Sequence, residues 1–287
     1  MIPPGLLPPR APGTHKGDAG RVFLLAGAVG YSGAAALCVL GALRTGAGLV
    51  TLGVPKRLHD PMVQKLTEAM LKPLPETGEG SLSLQALAEI VRAIEPMDAV
   101  GIGPGLSQQA QTKELVRRLL PQIRTPLIVD ADGLNALAED VELLRKLPLP
   151  IVLTPHPGEM ARLVRLSPDD VQRDRERIAS EFAKRYRVVL VLKGHHTVVA
   201  SFDGTVSINE TGNPGMASGG CGDVLTGVIA ALLGQKLPPF EAARLGVYLH
   251  GLAGDLVAKE RGEIGLIASD LADRIPQAIQ HYQHLPV

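Results

Sequence analysis

Residues 22–54 read VFLLAGAVGYSGAAALCVLGALRTGAGLVTLGV. Val22–Ala26 is a short apolar run closed by glycine, the pattern of a strand buried on both faces. Ala34–Arg44 carries apolar side chains at helical spacing, and Leu49–Val54 is a second buried run. The same alternation continues down the chain. Val100–Ile102, Leu127–Val129, Ile151–Leu153 and Val188–Leu192 read as strands, with Leu84–Ile94, Gln111–Leu119 and Val171–Tyr186 as helices between them. This predicts a three-layer α/β/α fold with a central, mostly parallel sheet. After Lys193 the pattern changes. Thr197–Ser201 and Val206–Asn209 flank an Asp203-Gly204 pair, a hairpin signal, and a glycine-rich loop then enters the apolar helix Val224–Leu233 before two closing helices.

Composition narrows the function classes. Of 287 residues, 45% are hydrophobic and 20% charged, which excludes a disordered or collagen-like chain. Lysine plus arginine number 29 and aspartate plus glutamate 29, so no net field draws the chain to nucleic acid or to a membrane surface. Aromatic residues are only 3%, which argues against stacking platforms for single strands. No apolar run is long enough to span a bilayer, and the proline-rich start lacks a signal-peptide core. Cys38 and Cys221 are too few for a disulfide framework or a zinc site, which predicts a cytoplasmic protein. With no repeat and no linker-like interior, a single domain over residues 1–287 is expected, residues 1–14 being a proline-rich N-terminal extension.

In parallel sheets, ligands bind beyond the carboxyl ends of the strands. The polar residues of this chain collect there: Gly103-Pro104-Gly105, Asp130 to Asn135, Thr154 to Glu159, and Lys193-Gly194-His195-His196-Thr197. The most distinctive segment is Asn213-Pro214-Gly215-Met216-Ala217-Ser218-Gly219-Gly220-Cys221-Gly222-Asp223. Small residues leave backbone N–H groups unobstructed, and with the helix dipole they form an anion hole. Asp223 at its mouth would repel a phosphate, but it suits a base facing a hydroxyl that attacks phosphorus. The plainer reading is an N-cap.

This loop resembles the signature of the ribokinase-like superfamily. Together with Asp130–Asn135, Thr154–Glu159 and Lys193–Thr197, it is similar to the NAD(P)H-hydrate dehydratase family from about His15 onward. The resemblance implies repair of NADH or NADPH hydrates, with ADP or ATP as phosphoryl donor and Mg²⁺ as cofactor. The hydroxyl is phosphorylated and phosphate then eliminated, restoring NADH or NADPH. It also implies a homotetramer, and a stand-alone dehydratase without the epimerase domain found fused in some members. Catalysis would fall to Asp223 with Gly220 and Gly222. The hydrate would meet Ala34, Gly105, His156 and Asp223, and the adenylate would meet Lys193, Gly194, His195, His196, Thr197 and Gly222. Asp130, Asn135, Glu159 and Asn213 would support the site.

The residues carry expectations of their own. Lys193 reads as a point charge for phosphate. His195 and His196, adjacent on extended chain, should face opposite ways and not share one ion. Direct metal ligands stay unassigned, though Asp130 could hold magnesium through water. Asp132 either caps a short helix at Leu134–Ala138 or joins Asp130 and Asn135 in supporting the site, and Glu159 reads as the cap of the helix after His156. Cys221 stands where the loop commonly has threonine or serine. Two other readings share these features: a ribokinase-like small-molecule kinase that stops at the phosphate ester, and a nucleotide-binding regulator without turnover. The first βα turn lacks the full glycine fingerprint of a nicotinamide dehydrogenase.

Overall fold

The computed structural model describes residues 2–148 and 151–285. The first half alternates regularly: β1 (Arg21–Leu25), α1 (Ser32–Arg44), β2 (Leu49–Pro55), α2 (His59–Lys65), β3 (Met70–Leu74), α3 (Leu87–Ile94), β4 (Ala99–Ile102), α4 (Ala110–Leu119), β5 (Leu127–Val129) and α5 (Ala131–Ala138). There follow β6 (Ile151–Leu153), three helices α6 (Pro157–Val164), α7 (Pro168–Arg173) and α8 (Arg175–Tyr186), and the strands β7 (Val189–Leu192), β8 (Val198–Ala200) and β9 (Val206–Ile208). Three helices close the chain: α9 (Cys221–Gly234), α10 (Pro239–Arg261) and α11 (Ala268–Gln283).

The strands form one sheet in the order β3-β2-β1-β4-β5-β6-β7-β8-β9. Pairings are parallel from β3 through β7 and antiparallel for β7–β8 and β8–β9. Alternate side chains of β1 enter opposite cores, as the two-residue period of a strand requires. Val22 and Leu24 pack with α1, α9, α10 and α11, whereas Phe23 and Leu25 pack with α3, α4, α5, α6 and α8. The layers are thus helix, sheet, helix.

Two differences from the sequence expectation have clear causes. The span Val171–Tyr186 is two helices, because Asp174 leaves helical geometry at φ −146°, ψ 54°. β3 is an edge strand with Lys72 and Pro73 inside it and little burial, so it carries no apolar run to read.

The proline-rich extension packs on α11. Tyr282 Oη donates to Pro3 O at 2.7 Å and accepts from Leu6 N at 2.9 Å, and Gln283 Nε2 donates to Leu7 O at 3.1 Å.

Strand order reverses between β1 and β4, since β1 continues outward to β2 and β3 while β4 starts the other arm. The loops beyond these strands are joined by Gly27 N donating to Pro104 O at 2.8 Å. That crevice is the topological switch point, where parallel sheets bind ligands.

The helix that carries the glycine loop is seated by close approach to α1. A Cβ at Gly227 would lie 1.9 Å from Cys38 O, and one at Gly41 would lie 2.3 Å from Val224 O. Gly227→Ala should therefore destabilise the protein by about 1–3 kcal/mol or more, seen as a lower thermal midpoint. Gly78→Ala, where a Cβ meets nothing within 4 Å, should stay within about 0.5 kcal/mol of wild type. Equal midpoints for both variants would show that the α1–α9 contact yields freely.

Candidate active site

Gly220 precedes α9 at φ +94°, where a Cβ would come within 2.4 Å of Leu37 Cδ1, so only glycine fits this turn. Cys221 N turns back to Ser218 O at 3.4 Å, and the first full helical bond is Val224 N to Gly220 O at 3.2 Å. The N–H groups of Gly222 and Asp223 therefore lie in the first turn, where a helix lacks internal acceptors. His250, from α10, reaches this turn and places Nε2 2.8 Å from Cys221 O. Burial pushes the His250 pKa down to about 4, so the ring is neutral and Nε2–H donates to the carbonyl.

Behind the loop lies a buried ion pair. Lys193 Nζ, at the end of β7, donates to Asp130 Oδ1, at the end of β5, at 2.7 Å. The other carboxylate oxygen, Oδ2, accepts from Thr226 Oγ1 of α9 at 2.7 Å, and Thr226 Oγ1 also lies 3.2 Å from Gly222 O. The sequence offered Lys193 as a point charge for phosphate and Asp130 as a carboxylate that could hold magnesium through water or orient a pyrophosphate. In the structure each holds the other, which offsets the cost of burying either charge alone. Burial disfavours the Lys193 ammonium, yet Asp130 and then Glu159 outweigh it and raise its pKa.

Three carboxylates share that one ammonium. Asp223, largely buried on the first turn of α9, feels burial first and then the charge of Asp130, with Lys193 opposing both; its pKa is pushed up to about 7. Glu159 is also raised, by burial, with Asp130 adding and Lys193 opposing. Its carboxylate accepts from His156 N at 2.8 Å and closes a capping box on α6. His156 supplies the other half: Nδ1 accepts from Gly158 N at 3.0 Å and Glu159 N at 3.4 Å. Burial, then Lys193 and Arg162, lower the His156 pKa, so the neutral ring carries its proton on Nε2.

Other sequence-predicted residues take distinct places. Ala34 and Gly105 meet across the switch point, where a Cβ on Gly105 would lie 3.0 Å from Ala34 Cβ. Asp132 does not cap a helix at Leu134. The helix starts earlier, at Ala131, and Asp132 instead accepts from Ser107 N at 2.9 Å and from Asn135 Nδ2 at 3.1 Å. Asn135 Oδ1 in turn accepts from Arg162 at 3.0 Å. Asn213 donates to Asp255 Oδ1 at 3.0 Å and caps the short turn at Pro214–Met216. His195 and His196 do not point apart. His196 sits at φ +54°, which makes the segment a turn, and the two rings lie edge-to-face with centroids 3.9 Å apart.

A cavity of about 440 Å³ opens between Lys193–Thr197, the Gly212–Ala217 segment, the start of α9 and the middle of α10. Gly194, Cys221, Gly222 and His250 line it, and a Cβ at Gly222 would touch Lys193 Nζ at 3.5 Å. The structure thus brings Lys193–Thr197, Asn213 and Gly222 to one cavity and places Ala34 and Gly105 at the switch point. Asp223 follows Gly222 at the head of α9. Thr226, Asp255 and His250 were missed. Thr226 follows Gly222 by one helical turn, a spacing that could have marked it; His250 and Asp255 sit inside α10 with no local signal.

Comparison with known proteins gives a consistent result. The family model for NAD(P)H-hydrate dehydratase matches residues 22–277. A bifunctional NAD(P)H-hydrate repair enzyme of Moorella thermoacetica is 48% identical over 277 residues, covering 96% of this chain and 52% of that protein. The chain spans about half the length of the curated relatives it matches. An ADP/ATP-dependent NAD(P)H-hydrate dehydratase from Bacillus subtilis, co-crystallised with ATP/Mg²⁺, superposes with a TM-score of 0.83 at 35% identity, covering 96% of this chain and 94% of that one. A ribokinase-like superfamily protein from Enterococcus faecalis superposes at 0.82 with 29% identity, covering 96% and 92%. Matched across most of its length in sequence and in fold, the chain belongs to the NAD(P)H-hydrate dehydratase family.

Proposed function

We propose that this protein dehydrates the hydrates of NADH and NADPH, using ADP or ATP as phosphoryl donor. The observation that carries the reading is Asp223: a carboxylate with a pKa of about 7, one residue past a cavity-lining glycine, in the first turn of α9. A base poised near neutrality can take a hydroxyl proton and still be regenerated at physiological pH.

The nucleotide occupies the cavity walled by Lys193–Thr197, and the hydrate enters at the switch point beside Ala34, Gly105 and His156. Asp223 accepts the proton of the substrate hydroxyl as that oxygen bonds to the terminal phosphorus and the bond to the nucleotide breaks. The first-turn N–H groups of α9 stabilise charge on the transferring phosphoryl. Phosphate then leaves with the carbon–oxygen bonding pair, pushed by the ring nitrogen, and loss of a proton from the neighbouring carbon restores the double bond.

Among the described residues, no group of three or more His, Cys, Asp or Glu side chains is placed to hold a metal. Both oxygens of Asp130 are engaged and Glu159 is spent on its cap. The side chains do not fit a resident ion, and Mg²⁺ would belong to the nucleotide's own phosphates.

The reading is tested by incubating the protein with hydrated NADH and ADP, or ATP, while following recovery of the reduced-nicotinamide absorbance and release of free phosphate. Both should appear together. A stable phosphate ester without recovered absorbance would instead identify a kinase.

Activity should follow the ionisation of Asp223, rising with pH through about 7 and falling about tenfold per unit below it. Asp223→Asn should lose roughly 10²–10⁴-fold in kcat. Its stability should move the other way. The folded-state pKa lies above the ordinary 3.8, so the cost of this carboxylate to the fold builds from about pH 4 and is complete above about 7. The variant should gain a few degrees in Tm near pH 8 and nothing near pH 4. A flat pH profile, or more than half the wild-type rate in the variant, would reduce Asp223 to a cap.

His156 separates capping from recognition. His156→Ala loses the α6 cap, at about 0.5–2 kcal/mol, whereas Asn can still cap. Both variants should raise KM for the hydrate by up to about tenfold through loss of the Nε2–H donor, leaving nucleotide KM unchanged. A wild-type hydrate KM in His156→Asn would assign the imidazole to capping alone.

A further inference from the structure

Arg175 opens α8, and two neighbouring arginines show what is unusual about it. Arg173 pairs with Asp170, and Arg177 with Asp174 and Glu181. Arg175 turns to backbone instead: Nη2 donates to Leu192 O at 2.8 Å, and Nη1 donates to His195 O. Its Nε is buried with no hydrogen-bond partner, so the two carbonyls alone set the pose of the guanidinium. Burial lowers its pKa, with no acidic group contributing, so the cation is not neutralised locally.

The carbonyls it holds bracket Lys193-Gly194-His195. This segment needs holding, because Gly194 sits at φ +144° and His196 at φ +54°. A Cβ at Gly194 would lie 3.0 Å from Nη2 and 3.3 Å from Cζ, so the guanidinium lies directly against the Gly194 backbone. Arg175 does not line the nucleotide cavity, whereas Lys193 through Thr197 all do. It therefore holds the loop without being part of the cavity wall.

That placement sets the polarity of the cavity wall. In a trans peptide the N–H and C=O point in opposite directions. Drawing His195 O to Arg175 turns the N–H of His196 the opposite way, away from the guanidinium. A carbonyl left facing inward would repel phosphate oxygens, while an N–H attracts them. The Leu192–Lys193 peptide is fixed from both sides, since Lys193 N donates to Pro155 O at 2.9 Å while Leu192 O is held by Arg175.

We infer that Arg175 is a positioning residue for the nucleotide: its two-pronged grip on Leu192 O and His195 O holds the Lys193–Thr197 loop with its donors facing the bound adenine nucleotide. The inference rests on assigning that loop to the nucleotide. A fork is needed to reach two carbonyls at once, so lysine, which keeps the charge but offers a single point, replaces it poorly.

The test uses Arg175→Lys and Arg175→Gln, with Arg175→Ala as the full truncation. ADP and ATP binding is measured directly by calorimetry, and KM for nucleotide and for hydrated NADH by steady-state kinetics. Both Kd and KM for nucleotide should rise roughly tenfold or more in Gln and Ala, with a smaller rise in Lys. KM for the hydrate should hold within about twofold, the scatter of a distant substitution. A merely structural role predicts a lower Tm with both constants unchanged. Wild-type nucleotide affinity in the folded Lys and Gln variants, or equal weakening of both ligands, would overturn the inference. Calorimetry keeps this separate from the dehydratase reading: a wild type that binds ADP without turning over hydrate sinks that reading and leaves the role of Arg175 measurable. A wild type that binds neither ADP nor ATP sinks both.

Discussion

The Lys193–Asp130 ion pair is the constraint around which the site is arranged. Two charges taken out of water repay their desolvation only when geometry is close and the remaining lone pairs are used. Here Oδ1 of Asp130 takes the ammonium and Oδ2 takes the Thr226 hydroxyl. The ends of β5 and β7 and the first turns of α9 are thereby fixed together. Removing either charge would strand the other, which makes the pair intolerant of change even where it does not touch a ligand.

The same pair sets the protonation of its neighbours. Lys193 is already committed, so Asp223 and Glu159 lie in a buried set with more negative than positive charge, and the pKa of each rises. Their fates differ by hydrogen bonding. Glu159 is consumed by the capping box on α6, whereas Asp223 lies on the first turn of a helix whose first N–H groups lack internal acceptors. One fold thus yields one structural carboxylate and one suited to proton transfer. Topology does the rest. The reversal of strand order opens a crevice at β1 and β4, the antiparallel end at β7 and β8 supplies a second cavity, and α9 crosses the sheet with its start at that cavity.

Much of this was legible in the sequence. Buried parallel strands read as unbroken apolar runs, and glycine-rich turns at their ends mark the functional edge. The glycine loop before α9 was legible because the backbone there needs small residues, as the Cβ clash at Gly220 shows. What failed was pairing. A lone Lys193 and a lone Asp130 each suggested a ligand contact, and nothing in a linear string says that they lie 2.7 Å apart across two strands. Thr226, His250 and Arg175 act through a few contacts to backbone or carboxylate on other elements, which leave no periodic trace. The His195-His196 turn depends on a left-handed residue that is not glycine, so an extended reading was the natural error.

The measurement that tests the account most directly is the fate of the substrate oxygen. Hydrated NADH carrying heavy oxygen in its hydroxyl group is turned over with unlabelled ADP or ATP, and the products are analysed by mass spectrometry. Phosphoryl transfer to that hydroxyl followed by elimination predicts one heavy oxygen in each phosphate released. Heavy oxygen appearing in water, with unlabelled phosphate, would mean that the hydroxyl leaves without being phosphorylated and would contradict the role given to Asp223.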